Sequence, residues 1–144
     1  MPCNVKDVAQ YIVNYFILMN NPVTNLKLQK LLYFSWIDYF VSRGEYLFNE
    51  YFEAWVLGPV VPEAYYEFCA YGADFILRFK DVKLSGIKTD ILDASLKKYA
   101  HLSPYILVDM SHVKGGAWAE TYCNGRGRWK KIDFETIKNL ECRT

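Results

Sequence analysis

The chain lacks the segments that direct a protein into a membrane or out of the cell. It has no run of about 18 apolar residues, the length that a membrane-spanning helix requires. Residues 1–7 lack the charged region, apolar block and small-residue cleavage site of a secretory signal. We therefore expect a cytoplasmic protein that does not contact a membrane.

Histidine and cysteine are scarce, and their spacing argues against a metal site. The two histidines, His101 and His112, do not share an HxxxH spacing, and the cysteines form no CxxC pair. A structural zinc site needs several such side chains to converge. We therefore expect no metal and no other cofactor, and free thiols as in a reducing cytosol. The cysteines are Cys3, Cys69, Cys123 and Cys142.

Motifs for phosphate binding and for nucleophilic catalysis are also absent. There is no GxxxxGK[ST] loop, and no GxGxxG follows a predicted strand. Ser111 and His112 are neighbours on a predicted helix, where successive side chains point about 100° apart. They therefore do not form a nucleophile and its base, and we predict no catalytic residue and no enzymatic activity.

The composition is that of one ordinary domain, residues 1–144. The net charge of +1 provides no overall field that would attract nucleic acid. The apolar fraction is 52%, which is enough to fill a core without metals or disulfides. The aromatic fraction of 17% is high, and it is compatible with a well-filled core and with a binding surface.

Apolar residues recur at helical spacing along most of the chain. A first helix has Asn4 as its cap and carries a stripe from Val8 to Met19. A second runs from a Thr24 cap to about Arg43, where Gly44 ends it. The second helix is apolar on several sides, which indicates a buried central helix. Its polar residues occupy the first two turns, so we expect that end to be wet or engaged and the other end to be core.

The remaining segments predict a mainly α fold with a small strand element. Residues 46–57 are aromatic and branched, which favours a short strand or hairpin, and Gly58 and Pro59 should break the chain. Residues 75–88 hold no clear period and predict a loop. We therefore predict a compact bundle of about six helices around a buried central helix, with the strand element near residues 46–57.

Residues 114–131 concentrate positive charge. Five cations face the single acid Glu120, so this stretch has a net charge of +4, and three aromatic residues lie among them. Such a stretch could bind an acidic protein partner, could stack on nucleic acid, or could be a solvated loop with inward aromatics. The cations are Lys114, Arg126, Arg128, Lys130 and Lys131, and the aromatics are Trp118, Tyr122 and Trp129.

The segment TNLKLQKLLY, residues 24–33, resembles the signature of the Panacea antitoxin domain, also called SocA-like or phage-associated GepA-like. Further matches follow in the family's order: Glu53-Ala54-Trp55, Gly58-Pro59-Val60-Val61-Pro62, Tyr65 and Tyr71-Gly72. A second block resembles the family's LTH and PW motifs, with Ser111 in place of threonine and Ala117 in place of proline. The resemblance spans roughly residues 5–140.

This resemblance implies an antitoxin-like protein that neutralises a partner toxin by direct protein–protein binding. Members are often encoded beside the toxin and are frequent in phages and mobile elements, and the family implies a helical domain without cofactor or established catalysis. Two alternatives stay open. One is a phage protein that binds a host defence or regulatory protein, and the other is a nucleic-acid-binding regulator that uses residues 114–131.

We expect the start of the central helix and the strand before Gly58 to meet and form one aromatic surface with a polar rim. Lys30 should reach solvent there, and Arg128 and Trp129 should form a second patch. The opposing interpretation is that TNLKLQK only caps and packs the fold. The predicted partner-binding residues are Asn25, Gln29, Lys30, Tyr33, Glu53, Trp55, Tyr65, His112, Trp118, Arg128 and Trp129.

Overall fold

The computed structural model describes residues 2–142, which contain seven α-helices and one three-stranded sheet. This confirms the predicted mainly α fold with a short strand element. The elements in chain order are α1 (Val5–Leu18), α2 (Asn25–Arg43), β1 (Phe52–Trp55), β2 (Gly58–Val60), α3 (Pro62–Glu67), α4 (Thr89–Tyr99), α5 (Pro104–Ser111), α6 (Ala117–Tyr122), β3 (Lys131–Ile132) and α7 (Phe134–Glu141). Short 3₁₀ turns at Cys69–Tyr71 and Cys123–Gly125 follow α3 and α6.

The first two helices begin and end where their capping residues predict. The side chain of Asn4 accepts a hydrogen bond from the Lys6 N–H, and Thr24 Oγ1 accepts one from the Lys27 N–H. Gly44 ends α2 in the left-handed conformation, at φ +67°, which glycine adopts without a steric penalty. None of the helices within residues 2–142 is both long and apolar enough to cross a membrane.

Helix α2 is the central helix of the fold, as the sequence predicts. Leu28, Leu32 and Trp36 along it are fully buried, and helices α1, α3, α4, α5 and α7 pack around it. The Trp36 indole Nε1 donates a hydrogen bond of 3.1 Å to the Phe48 carbonyl. The buried apolar residues of all these elements form one hydrophobic cluster.

The two ends of α2 agree only in part with the sequence expectation. Asn25, Gln29 and Lys30 in its first turns are buried, whereas Val41 near its end is exposed. Helix α3 and the β1–β2 hairpin cover the first turns, and the last turn extends beyond its neighbours. The prediction that Lys30 reaches solvent is therefore wrong, whereas the far end is core up to Tyr39 and exposed beyond Phe40.

The sheet is a β1–β2 hairpin extended by β3, in the order β2-β1-β3. Its strands are antiparallel, with Trp55 opposite Gly58 and Phe52 opposite Ile132. The hairpin lies slightly later than predicted because Gly58 and Pro59, instead of breaking the chain, form β2. Proline is tolerated there because β2 is an edge strand.

Residues 76–88 contain no helix or strand, as predicted for residues 75–88, and they contact α1. Two polar side chains of α1 hold this segment. Gln10 Nε2 donates to the Arg78 carbonyl at 2.9 Å, and Asn14 Nδ2 donates to the Lys80 carbonyl at 2.7 Å. The loop is therefore ordered by long-range hydrogen bonds and not by a period of its own.

Candidate partner-binding groove

An open groove of about 720 Å³ lies between the start of α2, the β1–β2 turn, α3, the start of α5 and the chain just before β3. We call it the aromatic groove. Seven of the predicted partner-binding residues line it: Asn25, Gln29, Lys30, Trp55, Tyr65, Arg128 and Trp129. The two patches expected from the sequence are thus brought together around one groove.

Large apolar side chains at the wall of the groove are unusually exposed. Their exposed fractions range from 47% to 71%, although each side chain is aromatic or aliphatic. A group of exposed apolar side chains with a polar rim is typical of a binding surface. These wall residues are Val56, Leu57, Phe75, Tyr105 and Trp129.

The polar side chains of the TNLKLQK segment join the floor of the groove to the β2–α3 junction. Gln29 Oε1 accepts from the Val61 N–H at 3.0 Å, and Gln29 Nε2 donates to Asn25 Oδ1 at 3.0 Å. Asn25 Nδ2 in turn donates to the Tyr65 carbonyl at 3.0 Å. These groups therefore bind neighbouring parts of the chain and fix the position of α3 against α2.

Lys30 lies beneath the groove and has no exposed surface. Its Nζ donates a hydrogen bond of 2.9 Å to the Pro59 carbonyl, which belongs to the GPVVP segment. Burial disfavours the charged ammonium and lowers the pKa of Lys30 to about 7. Lys30 therefore links α2 to β2 through this hydrogen bond and places no charge at the protein surface.

Gly58 is required by the close approach of β2 to this lysine. A Cβ at Gly58 would stand 2.7 Å from Lys30 Cε and 2.6 Å from Ser111 Oγ. Gly58 also has a φ of +110°, a conformation that residues with a side chain rarely adopt. The positive φ and the lack of room for a Cβ both explain why this position is glycine.

Trp55 and Tyr65 meet at the floor of the groove. Their rings lie 4.9 Å apart at an interplanar angle of 62°, an edge-on contact. The indole Nε1 of Trp55 donates to Glu53 Oε1 at 2.9 Å. Glu53 does not line the groove but holds the Trp55 ring in place.

Trp118 contacts β1 and His112 packs on Trp118, and neither side chain lines the groove. Trp118 Nε1 donates to the Trp55 carbonyl at 2.8 Å, and the His112 ring stacks on Trp118 at 3.7 Å. Burial, and secondarily the nearby Lys30 charge, lower the pKa of His112. His112 Nε2 is buried and finds no hydrogen-bond partner among residues 2–142. These two predicted residues therefore do not line the groove.

Tyr33 is also placed away from the groove. Its ring is fully buried, and its hydroxyl donates to Glu141 Oε2 at 3.1 Å. The same carboxylate oxygen accepts from the Ala117 N–H at 2.9 Å. Ala117 stands where the resemblance expects proline, which has no N–H to donate. The departure from the family motif thus supplies a hydrogen bond that joins α6 to α7.

The groove also contains wall residues that sequence reasoning missed. Val56 and Leu57 form the hairpin turn, Phe75 follows α3 in an irregular segment, and Tyr105 lies in the first turn of α5. The apolar pair Val56-Leu57 was a usable signal, because tight turns normally carry glycine, asparagine or aspartate. Phe75 and Tyr105 carry no local signal, since only the fold brings them to the groove.

The structure gives little support to a metal site or to a binding site on residues 114–131. Among residues 2–142, no three His, Cys, Asp or Glu side chains come together as a metal site would require. The five cations of residues 114–131 are exposed, but only Arg128 lines the groove. The other four cations of the basic stretch therefore lie outside the groove lining.

Comparison with known proteins supports the resemblance seen in the motifs. The family described as antitoxin SocA-like, Panacea domain, matches residues 28–119. The antitoxin SocA of Caulobacter vibrioides (strain NA1000 / CB15N) is 33% identical over 138 residues, which covers 86% of this chain and 72% of the relative. No solved structure matches the chain. The chain therefore belongs to the antitoxin SocA-like, Panacea domain family.

Proposed function

We propose that this protein neutralises a partner toxin in the cytoplasm by binding it directly through the aromatic groove, without catalysing a reaction. The observation that carries the proposal is the ring of exposed apolar side chains around a groove of about 720 Å³. Membership of an antitoxin family supports a toxin as the partner. A toxin encoded beside this chain is the first candidate.

The chemistry of the groove supports binding over catalysis. The polar side chains of its floor, Asn25 and Gln29, are engaged in hydrogen bonds within the chain. Lys30 is buried and donates to a backbone carbonyl. A general acid or base must reach the substrate directly or through one water. The groove instead offers large apolar area and aromatic anchors, which dominate the energy of protein–protein interfaces.

The proposal is tested by co-expressing the protein with the product of the neighbouring reading frame and scoring growth. We expect Trp129→Ala to abolish the rescue of growth, because loss of an aromatic anchor costs about 2 kcal/mol or more, roughly thirtyfold in affinity. The matched control is Leu77→Ala, which truncates another highly exposed apolar side chain outside the groove. Rescue by the Trp129 variant at the parental level, with both variants folded by thermal melting, would refute the proposal.

A host defence or regulatory protein is the alternative partner, and it would use the same apolar surface. The two partners are separated by what the neighbouring reading frame does. If that product alone arrests growth and this protein restores it, the toxin is the partner. If it is harmless, and the protein instead binds a purified host factor in a Trp129-dependent manner, the alternative holds.

A further inference from the structure

We infer that the aromatic groove recognises a protein segment that places a carboxylate beside a large apolar side chain. This inference rests on the proposed function, because it concerns the occupant of the same groove. It is carried by the way in which Arg128 and Trp129 are presented at the wall of the groove, and by the charge of the groove lining.

Trp129 is held in a strained backbone conformation that displays its ring to solvent. Its φ is +67°, and the left-handed region is rare for bulky residues. Two hydrogen bonds to β1 maintain it: the Trp129 N–H donates to the Ala54 carbonyl at 2.7 Å, and the Ala54 N–H donates to the Lys130 carbonyl at 2.9 Å. The ring is nevertheless 62% exposed. Strain of this kind is concentrated at sites that bind ligands.

The turn that carries Arg128 and Trp129 is stiff. Gly127 donates to the Tyr122 carbonyl at 2.9 Å, and its own carbonyl accepts from the Lys130 N–H at 2.9 Å. A Cβ at Gly127 would collide with the carbonyl oxygen of Thr121, so the chain packs closely there. A stiff turn loses little conformational entropy when a partner binds. The backbone positions that carry these two side chains are therefore fixed in advance of binding.

The charge of the lining favours an anionic group in the occupant. Two charged residues line the groove within the described part of the chain, and both are cations: Lys30 and Arg128. Lys30 is buried and donates to the Pro59 carbonyl, which leaves Arg128 as the cation exposed to an occupant. Its guanidinium lies 5.5 Å from the centroid of the Trp129 ring. A guanidinium offers paired donors that match the two oxygens of a carboxylate.

The apolar wall favours a protein segment over nucleic acid. Val56 and Leu57 are aliphatic, and they accept a large apolar side chain beside Arg128. A nucleic-acid strand would need several cations along its phosphates, and one exposed cation in the groove does not provide such a track. The lining therefore fits an apolar side chain with an adjacent Asp or Glu.

The experiment pans a phage-displayed library of random dodecapeptides against the immobilised full chain. We expect enriched peptides to contain Leu, Phe, Met or Trp within two positions of Asp or Glu, and to lose binding with Trp129→Ala. An enriched peptide should bind Arg128→Gln about tenfold more weakly, equivalent to ~1.4 kcal/mol. The same peptide with its acid replaced by the amide should bind the parent and Arg128→Gln equally. The matched control is Arg126→Gln, an exposed arginine that does not line the groove.

Each other result overturns the inference. In one such result, the peptides need Trp129 for binding but contain no acidic residue, or bind Arg128→Gln as well as the parent. The groove would then still be a binding site, but it would not recognise a carboxylate through Arg128. Enrichment of no peptide, or of peptides indifferent to Trp129→Ala, also rejects it. A labelled dT20 oligonucleotide that binds in a Trp129-dependent manner would assign the groove to nucleic acid. Failure of the proposed function is seen separately, as growth rescue that survives Trp129→Ala.

Discussion

At the residue scale, Lys30 lies in an environment that is unusual for its side chain. Lysine is rarely buried without a charged partner, because removing an ammonium from water is costly. Lys30 is fully buried and its Nζ donates to the Pro59 carbonyl, a neutral acceptor. Burial lowers the pKa of Lys30 to about 7, so near neutral pH a large share of the molecules carry it uncharged. The protein therefore tolerates this lysine by releasing its proton.

This burial predicts a pH dependence of stability that Lys30→Met should remove. Between about pH 7 and the ordinary lysine pKa of 10.5, the unfolded chain binds a proton at Lys30 that the folded chain does not. The free energy of unfolding therefore rises with pH across this window, at up to ~1.4 kcal/mol per pH unit. Urea unfolding at pH 7, 8 and 9 should show the parent gaining about 2 kcal/mol relative to Lys30→Met. Parallel stability curves for the two proteins would contradict the prediction.

The sequence predicted which residues line the groove better than it predicted which side chains are exposed there. Trp55, Tyr65 and Trp129 were predicted as partner-binding residues, and all three line the groove. The burial of Lys30 could not be predicted, because its acceptor is a backbone carbonyl far along the chain. Tyr33 is similar, since its partner is the carboxylate of Glu141 in the last helix. Local patterns identify side chains of functional type, but the orientation of a side chain depends on contacts between distant segments.

At the element scale, the junction between α2 and the β2–α3 segment should depend on Gln29. The Gln29 side chain accepts the Val61 N–H, and both groups are buried. Gln29→Ala leaves this N–H without its acceptor, which costs about 1–3 kcal/mol. Chemical denaturation measures the loss. Glu120→Ala, an exposed change on α6, is the control and should stay within about 0.5 kcal/mol. A Gln29 variant as stable as that control would show that the hydrogen bond is not needed.

The segment of residues 76–88 should be released from α1 by Asn14→Ala. Asn14 Nδ2 donates to the Lys80 carbonyl, and Asn14 Oδ1 accepts from the Lys80 N–H at 3.3 Å. Without these bonds the segment should open locally, because it has no helix or strand of its own. Hydrogen exchange of backbone amides near Lys80 should accelerate about tenfold, for a loss of ~1.4 kcal/mol. Exchange within α2 should not change, and an equal acceleration there would show global destabilisation instead.

The elements themselves were predictable where they are long and periodic. Helices α1 and α2 follow from their apolar stripes and from the caps at Asn4, Thr24 and Gly44. Strand β3 was missed because it has two residues and pairs with β1, about eighty positions earlier in the chain. Met19 was assigned to the buried stripe of α1, yet it follows the last turn and is 48% exposed. Short elements and helix ends are determined by their neighbours, so sequence periodicity says little about them.

At the scale of the whole molecule, the groove depends on the same core as the rest of the fold. Helices α2, α3 and α5 and the hairpin all contribute to its wall, and their inner faces belong to one hydrophobic cluster. A single cluster predicts that these elements unfold together, as small domains with one core usually do. The groove should therefore be lost in the same transition as the helices, with no separately stable half.

The last prediction tests this coupling with Leu32→Ala. Leu32 is fully buried in the middle of α2, and truncating a buried leucine costs about 2–5 kcal/mol. Helix content followed by circular dichroism, and the summed tryptophan fluorescence of the core and the groove region, should give one urea midpoint in the parent. The four tryptophans are Trp36, Trp55, Trp118 and Trp129. Leu32→Ala should lower the urea midpoints of both signals equally. Leu77→Ala, at a highly exposed position, should leave the free energy of unfolding within about 0.5 kcal/mol of the parent value. A fluorescence transition that precedes the loss of helix would instead mean that the groove and its hairpin form a separate, weaker unit. In that case a partner could bind a fold whose groove is only partly formed. A shared transition means that the groove stays folded only while the core does, so a loss of core stability also removes folded groove.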